Sequence, residues 1–446
     1  MDSIINIDNL NAEISDNIPS EYLPVKTNYN ECNWDIVSGY FIGFAYNIEL
    51  TKYSKEAFES DCKEVFLTKQ ISEKHFAVIR KAFFEKENYL KLSPTNLLLH
   101  TQNDETIHPK INSASKKVAL SLLTLLGFDD LKASSKDSDH FISEIITSTL
   151  KRKLKAKNYS DHALTYLPFL QQKLVHDFKF IASKPSYMME NIASLLSIYS
   201  FLYTSQIALN LKEWRVGLPQ NKPLFFVLET EKVSAERTKV INSGWKSFAA
   251  ASGNLFPMLS TLQLIQAKNS RKPIWQIFEE LTELDQTQQQ LCIDTFDSYC
   301  ERFIIARNLK KDFIKSRDLD SAFEQLFDLA FAQFDKSFAD PLTTRYQANE
   351  KVVSAMREHT AKGFVKSKGR IGSILVLTQD HLLLLTNVII GDKKQLRFND
   401  LIEELKLRGI FFDETSEERL IEFYERIGNV ERMSDSGDDL YVRQTV

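Results

Sequence analysis

The chain has 446 residues, of which 43% are apolar and 26% charged, with a formal net charge of −4. This length predicts two or three domains with substantial cores, and the weak net charge excludes a globally basic nucleic-acid-binding protein. No cysteine pair has C-x-x-C spacing, which is typical of a chain whose thiols stay reduced inside a cell. Because the first eight residues carry acids where an export signal needs bases, we expect a cytoplasmic protein.

Residues 1–110 are the least periodic part of the chain, and we predict a mixed N-terminal domain there. The apolar stretch 34–46 suits either a strand or a buried helix, and periodicity does not choose between them. A polar connection over residues 101–115 marks the first predicted domain boundary.

Residues 111–340 show mainly helical periodicity and are predicted to form a helical domain. Twenty-one residues without a charge, 191–211, are long enough to cross a bilayer. Because serine, threonine, asparagine and glutamine recur throughout them, we interpret this stretch as a buried core helix. Residues 224–228 predict a short buried strand, so the expected class is mainly α, and α+β in detail. The second boundary is predicted at Asp340-Pro341.

The last part of the chain, residues 341–446, is predicted to be a basic segment followed by a winged helix-turn-helix domain. A short apolar run at 374–377 precedes three helix-like stretches, each followed by a glycine, and then a hairpin. The three predicted helices are 380–390, 400–407 and 416–427, and the hairpin strands are 430–433 and 440–443. Thr415 and Glu418 have the spacing of a capping box for the third helix.

The charge of the third predicted helix and the hairpin is wrong for holding DNA. Residues 411–446 carry ten acidic side chains against four arginines, a formal net charge of −6. DNA affinity rests largely on cations that neutralise phosphates, so a negative surface loses that contribution and adds repulsion. We therefore expect this module to dock a protein partner. The docking candidates are Glu417, Glu418, Glu422, Glu425, Asp435, Asp438 and Asp439.

The segment that enters this module has the opposite charge. Residues 351–372 carry six lysines and arginines against one glutamate, a formal net charge of +5. We predict a flexible basic loop that contacts DNA backbone without reading bases, unless it pairs with the acidic wing of its own domain. The DNA-backbone candidates in this segment are Lys362, Lys366, Lys368 and Arg370.

A second basic run, residues 151–157, holds five positive charges in seven residues. It continues an apolar stripe over 141–154, so it is expected to form the last turns of an amphipathic helix, where lysines favour the negative helix end. Contact with DNA backbone is the alternative, and its candidates are Lys151, Arg152 and Lys153.

The chain contains no phosphate-binding G-x-x-x-x-G-K-[ST] loop, and it lacks H-E-x-x-H, G-x-S-x-G and G-x-G-x-x-G. Its eight histidines never pair closely, so we expect no metal and no other cofactor. Asp177-Phe-Lys179 and the acids of Glu229-Thr-Glu-Lys232 weakly match a metal-dependent nuclease, but such triplets arise by chance in a chain this charged. We therefore expect no enzyme, with a divergent nuclease subunit as an alternative.

Three C-terminal runs resemble the DptG (DndG) family, accessory subunits of bacterial phosphorothioation-dependent restriction systems. The runs are Leu377-Thr-x-x-His-Leu-Leu-Leu-Leu-Thr386, Leu405-x-x-Arg-Gly-Ile-Phe-Phe-Asp413 and Met433-Ser-Asp-Ser-Gly-Asp-Asp-x-Tyr-Val442. The specific motifs cover about the last seventy residues.

The resemblance implies a role and no catalytic residues. In such systems sulfur replaces a non-bridging phosphate oxygen of host DNA, and a three-protein assembly attacks DNA that lacks this mark. The implied partners are other restriction-complex subunits, including an ATPase, together with DNA backbone, and no membrane. The expected function is thus a non-catalytic, anti-phage scaffolding subunit; a stand-alone winged-helix DNA-binding regulator is the other alternative.

Overall fold

The computed structural model describes residues 3–25, 30–102, 108–127, 140–159, 164–268, 270–432 and 440–446. Within these ranges the chain is mainly α-helical with short strands, as the sequence predicts. The α-helices are α1 (Ile7–Asn11), α2 (Trp34–Ala45), α3 (Lys55–Thr68), α4 (Glu73–Ile79), α5 (Pro109–Leu126), α6 (Phe141–Lys151), α7 (Pro168–Ala182), α8 (Pro185–Asn210), α9 (Thr238–Asn242), α10 (Trp245–Ala251), α11 (Leu255–Ile265), α12 (Ile274–Thr282), α13 (Gln286–Arg307), α14 (Leu319–Ala332), α15 (Thr344–Ala355), α16 (Gln379–Ile390), α17 (Phe398–Lys406) and α18 (Glu414–Arg426). The strands are β1 (Ile48–Glu49), β2 (Lys155–Ala156), β3 (Leu224–Leu228), β4 (Val365–Ser367), β5 (Ser373–Leu377), β6 (Gln395–Arg397), β7 (Ile410–Phe411), β8 (Val430–Arg432) and β9 (Leu440–Arg443).

The long helix α8 lies at the centre of the fold, as predicted for the uncharged stretch. It packs against α2, α5, α7 and α16, and most of its residues are buried. Among the described residues, Pro185–Val216 is the one stretch long and apolar enough to cross a membrane, and 78% of its most apolar window is buried inside the protein. That burial fits the core helix of a soluble protein.

The N-terminal region resolves the ambiguity of residues 34–46, because they form the helix α2. The 3₁₀ stretch Pro94–Thr101 lies directly on this helix, and a Cβ added at Gly39 would stand 2.4 Å from the carbonyl oxygen of Leu97. A glycine at this position therefore permits the close approach. The predicted polar connection over residues 101–115 is partly wrong, because α5 already begins at Pro109. Proline is favoured at the first position of a helix.

The strand β3 occupies an interior position of a four-stranded sheet whose order is β4-β5-β3-β7. It runs parallel to β5 and to β7, while β4 pairs antiparallel with β5 at the edge. The strand predicted from the middle of the chain thus lies between strands of the C-terminal segment. The predicted domain boundaries remain predictions, but 341–446 shares this sheet with 111–340.

Both faces of the sheet are covered around β3 and β5, which explains why these two strands are apolar runs rather than alternating ones. On one face Phe226 lies edge-on to Phe201 of α8, with ring centroids 6.1 Å apart. On the other face Val227, Ile374 and Val376 pack with Val240 of α9 in a separate small apolar cluster. The sheet is therefore a buried layer between α8 and α9.

The C-terminal elements follow the predicted order with small shifts. The three helices are observed as α16, α17 and α18, and Gly391, Gly409 and Gly428 follow them with positive φ angles, as predicted. The strands β6, β9 and β8 form a three-stranded antiparallel sheet in that order. The predicted capping box is wrong, because α18 begins at Glu414 and its cap is Asp413, which accepts from the Ser416 N–H at 3.1 Å.

A buried ion pair joins the end of α17 to α7. Arg408 donates two hydrogen bonds to the carboxylate of Asp177, at 2.6 and 3.0 Å, and both side chains are at most 1% exposed. The Tyr199 hydroxyl of α8 donates to the same carboxylate at 2.6 Å, and Glu404 accepts from Arg408 at 2.8 Å. Burial raises the pKa of Asp177, but the charge and hydrogen bonds of Arg408 outweigh burial and lower that pKa below its usual range.

We predict that Arg408→Leu destabilises the chain strongly, because it leaves Asp177 buried without its cation. The free energy of unfolding should fall by about 3–5 kcal/mol. The double variant Asp177→Leu/Arg408→Leu removes both charges and should lose less than the single one. Urea unfolding followed by circular dichroism measures both; a single variant within about 1 kcal/mol of wild type would contradict the prediction.

Candidate docking surface on the C-terminal helix

The outward face of α18 carries a row of carboxylates. Glu418, Glu422 and Glu425 follow one another at spacings of four and three residues, which places them on one side of the helix, and all three are exposed. Glu417 is half-buried beside them, and burial raises its pKa. We call Glu417, Glu418, Glu422 and Glu425 the acidic row; the sequence predicted all four. The other predicted docking residues, Asp435, Asp438 and Asp439, lie outside the described residues.

The opposite face of α18 holds the helix against the body of the protein. Leu420, Phe423 and Tyr424 are buried, and the Tyr424 and Thr386 hydroxyls hydrogen-bond at 2.5 Å. Both arginines of the helix are exposed, and Arg419 pairs with Glu422 at 2.6 Å while Arg426 lies over the Phe423 ring at 5.8 Å, but the five glutamates of the helix outnumber them. The exposed side of the helix therefore presents mainly negative charge.

The N-terminal end of α18 is closed by a buried arginine from the turn before α9. Arg237 binds the cap residue Asp413, donating from Nε at 2.8 Å, and also donates to Ser416 at 2.7 Å. Its guanidinium pairs as well with Glu231, which is almost fully buried. A helix N-terminus is where backbone N–H groups can meet a phosphate. In this chain the carboxylate of Asp413 and the guanidinium of Arg237 already occupy that position.

The basic segment is ordered by contacts that the sequence does not reveal. Its predicted flexible loop is wrong, since residues 365–367 form β4 and pair with β5. Lys366 forms an ion pair with Glu229 at 2.5 Å, and Lys368 donates to the backbone carbonyls of Glu229 and Glu231. Neither lysine is bound to the acidic wing among the described residues. They are bound to the loop that follows β3.

Lys362 and Arg370 differ from those two lysines. Both side chains are exposed, and within the described ranges neither forms an ion pair. Of the four DNA-backbone candidates in this segment, these two keep an exposed charge without an ion pair among the described residues.

The second basic run is also partly neutralised. The predicted helix is too long, because α6 ends at Lys151 and residues 155–156 form β2, which pairs with β1. Lys153 forms an ion pair with Asp61 at 2.8 Å and lies over the Tyr53 ring, and Lys157 pairs with Glu49. Lys151 and Arg152 remain exposed at the end of the helix. The charge of the predicted run is thus partly neutralised by Asp61 and Glu49.

The carboxyl ends of the parallel strands collect acids, but their charges are compensated. Glu229 and Glu231 follow β3, as the sequence predicted for a strand end, and each has a basic partner. Asp177 lies on α7, and its carboxylate is paired with Arg408. Over the described ranges, no group of three histidine, cysteine or acidic residues is placed to hold a metal ion.

Sequence reasoning missed the residues that fasten the module to the body. In the sequence, Arg408 and Asp413 stand out only as members of the run 405–413, and no local pattern points to Arg237. Their partners lie 231 and 176 residues away in the chain. No local periodicity reports such a pairing. Comparison with protein-family models and with curated proteins finds no match for the chain.

The Asp413 pair makes a testable contribution to acid stability. Burial raises the pKa of Asp413, but the hydrogen bonds and charge of Arg237 and the Ser416 N–H outweigh burial and lower it below its usual value. Because the unfolded chain then binds this proton first, the stabilisation is complete above pH of about 4 and is lost as the pH falls further. Asp413→Asn keeps a helix cap and removes the titration. We expect its unfolding free energy to fall less between pH 5 and pH 3 than that of wild type; equal slopes would contradict this.

Proposed function

We propose that the chain is a non-catalytic subunit of a bacterial DNA restriction complex, of the kind represented by the DptG (DndG) family. In this proposal the C-terminal module is a winged helix that docks a protein partner through the acidic row. The observation that carries the proposal is the state of α18: its outer face is acidic and its N-terminal end is closed by Arg237.

The order of elements supports a winged helix. Helix α16 is followed by β6, the helices α17 and α18, and the hairpin strands β8 and β9. In the three-stranded sheet β9 lies between β6 and β8, so the first strand joins the far strand of the hairpin. In a DNA-reading helix-turn-helix the second helix of the motif enters the major groove. With the acidic row on that helix, groove binding would bring carboxylates against phosphates.

A partner with a basic surface suits this helix better than a duplex. Charge complementarity steers association and excludes wrong partners, and the acidic row supplies the negative half of such a pair. The resemblance implies restriction-complex partners that include an ATPase, which agrees with a chain that carries no phosphate-binding loop in its sequence. The cytoplasm, where such a complex meets DNA, is the proposed location.

Limited contact with DNA backbone is the second part of the proposal. Lys362 and Arg370 direct charge to solvent near the module, and Arg152 does so at the end of α6. Lys366, Lys368 and Lys153 are held by internal partners and are expected to contribute less. Such a small set of cations gives weak, salt-sensitive binding without base recognition.

Reversing charge in the acidic row tests the docking role. The variant Glu418→Lys/Glu422→Lys should reduce recovery of the co-encoded restriction subunits in a pull-down at least about tenfold, because attraction becomes repulsion. A matched control is Glu279→Lys/Glu283→Lys, which has the same spacing and the same charge change at exposed positions. Recovery that is equal for both variants, in chains of equal thermal stability, would refute docking through α18.

Neutralising the exposed cations tests the DNA contact. We expect Lys362→Ala/Arg370→Ala to weaken duplex binding equally for all sequences and to lower the salt dependence by about two units of slope. Lys310→Ala/Lys336→Ala, at exposed positions elsewhere, is the control. Fluorescence anisotropy against salt concentration measures both. Sequence-selective binding that is lost in Arg419→Ala/Arg426→Ala would instead support the stand-alone regulator.

A further inference from the structure

A cavity of about 220 Å³ lies between the N-terminal segment and the helices α11, α13 and α14, far along the chain from the acidic row. Its walls include the rings of Tyr299 and Phe303, the hydroxyl of Ser260 and the amide of Gln333. Asp16 and Glu13 lie on the exposed N-terminal segment that covers it. The cavity is thus enclosed by aromatic and neutral polar groups, with acids at its rim.

The guanidinium of Arg307 lines this cavity and lacks a counter-ion. The residue is only 9% exposed, and among the described residues no carboxylate lies within ion-pairing distance of it. Its Nη2 donates to the backbone carbonyl of Ser15, while its Nε is buried without a hydrogen-bond partner. Its face lies over the Phe303 ring, with 5.3 Å to the ring centroid. A buried arginine with a free donor and no anion is an unfavourable arrangement for a structural residue.

Two further observations indicate that the cavity suits an anion. Ser260 is 5% exposed, and its hydroxyl, which lines the same cavity, also has no hydrogen-bond partner. A second arginine, Arg345 of α15, adds positive charge near Arg307 and has its own Nε buried without a partner. Burial and the charge of Arg345 lower the pKa of Arg307 more than the charges of Tyr299 and Asp16 raise it, and an anion bound in the cavity would raise it further.

The geometry points to a binding site for a small oxyanion, a carboxylate or a phosphate, held by the guanidinium of Arg307 and the hydroxyl of Ser260. Arginine presents donors in a planar fork that matches both groups. The aromatic side chains would bury the uncharged part of the same molecule. The limited volume favours a compact metabolite over a dinucleotide, and the fixed acids at the rim exclude extended polyanions such as DNA.

The full-length protein tests this site with inorganic phosphate and acetate as separate probes, each compared with chloride at equal ionic strength. We expect at least one oxyanion to raise the melting temperature saturably, since it binds only the folded chain. A response to phosphate alone assigns a phosphate ligand, and a response to acetate alone assigns a carboxylate. If neither anion raises the melting temperature above chloride, the site does not exist.

Arg307→Gln should weaken binding of the anion that raises the melting temperature by about tenfold or more, since a charge-assisted hydrogen bond is lost. Arg317→Gln is the control, because it removes the same charge at an exposed position that does not line the cavity. It should keep the response. Ser260→Ala should weaken binding severalfold and provides the reading if Arg307→Gln does not fold. The assignment is overturned if Ser260→Ala and Arg307→Gln both bind the anion with unchanged affinity. If Arg307→Gln does not fold, an unchanged affinity of Ser260→Ala alone overturns it.

Discussion

The position of β3 between β5 and β7 is the constraint on which the C-terminal module depends. A parallel strand pair cannot be closed by a short turn, so the connection from β3 to β5 must carry a long excursion of helices. Because the sheet is covered on both faces around β3 and β5, these two strands must be apolar nearly throughout, whereas the edge strand β4 carries the exposed Lys366 and Ser367. The C-terminal module is therefore attached to the rest of the chain through this shared four-stranded sheet. That attachment determines which side of α18 faces outward.

Two buried arginines complete the attachment from opposite sides. Arg408 ties the turn after α17 to α7 and α8 through Asp177, while Arg237 ties the start of α18 to the loop after β3. Four residues of the runs that resemble the DptG (DndG) family make buried contacts or tight turns. They are Thr386, Arg408, Gly409 and Asp413. In this chain, these residues hold α18 in place.

The sequence predicted the local elements well wherever a single period or a stop residue decides the outcome. The α8 stretch, the β3 strand and the glycines after α16, α17 and α18 are confirmed, because apolar runs and positive-φ positions are local properties. It failed where distant residues compete. The sequence did not indicate the carboxylate partners of Lys366 and Lys153, which come from other parts of the chain. The capping box failed for a related reason: Asp413 is an equally good cap and also gains Arg237.

The central claim concerns what the exposed side of α18 contacts. A structure of the chain assembled on duplex DNA with the restriction subunits that we propose as its partners tests it most directly. The account predicts that Glu418, Glu422 and Glu425 face a basic surface of a protein subunit, with the Arg237–Asp413 contact intact. The contrary result is α18 seated in the major groove with its N-terminal end opened toward the phosphates.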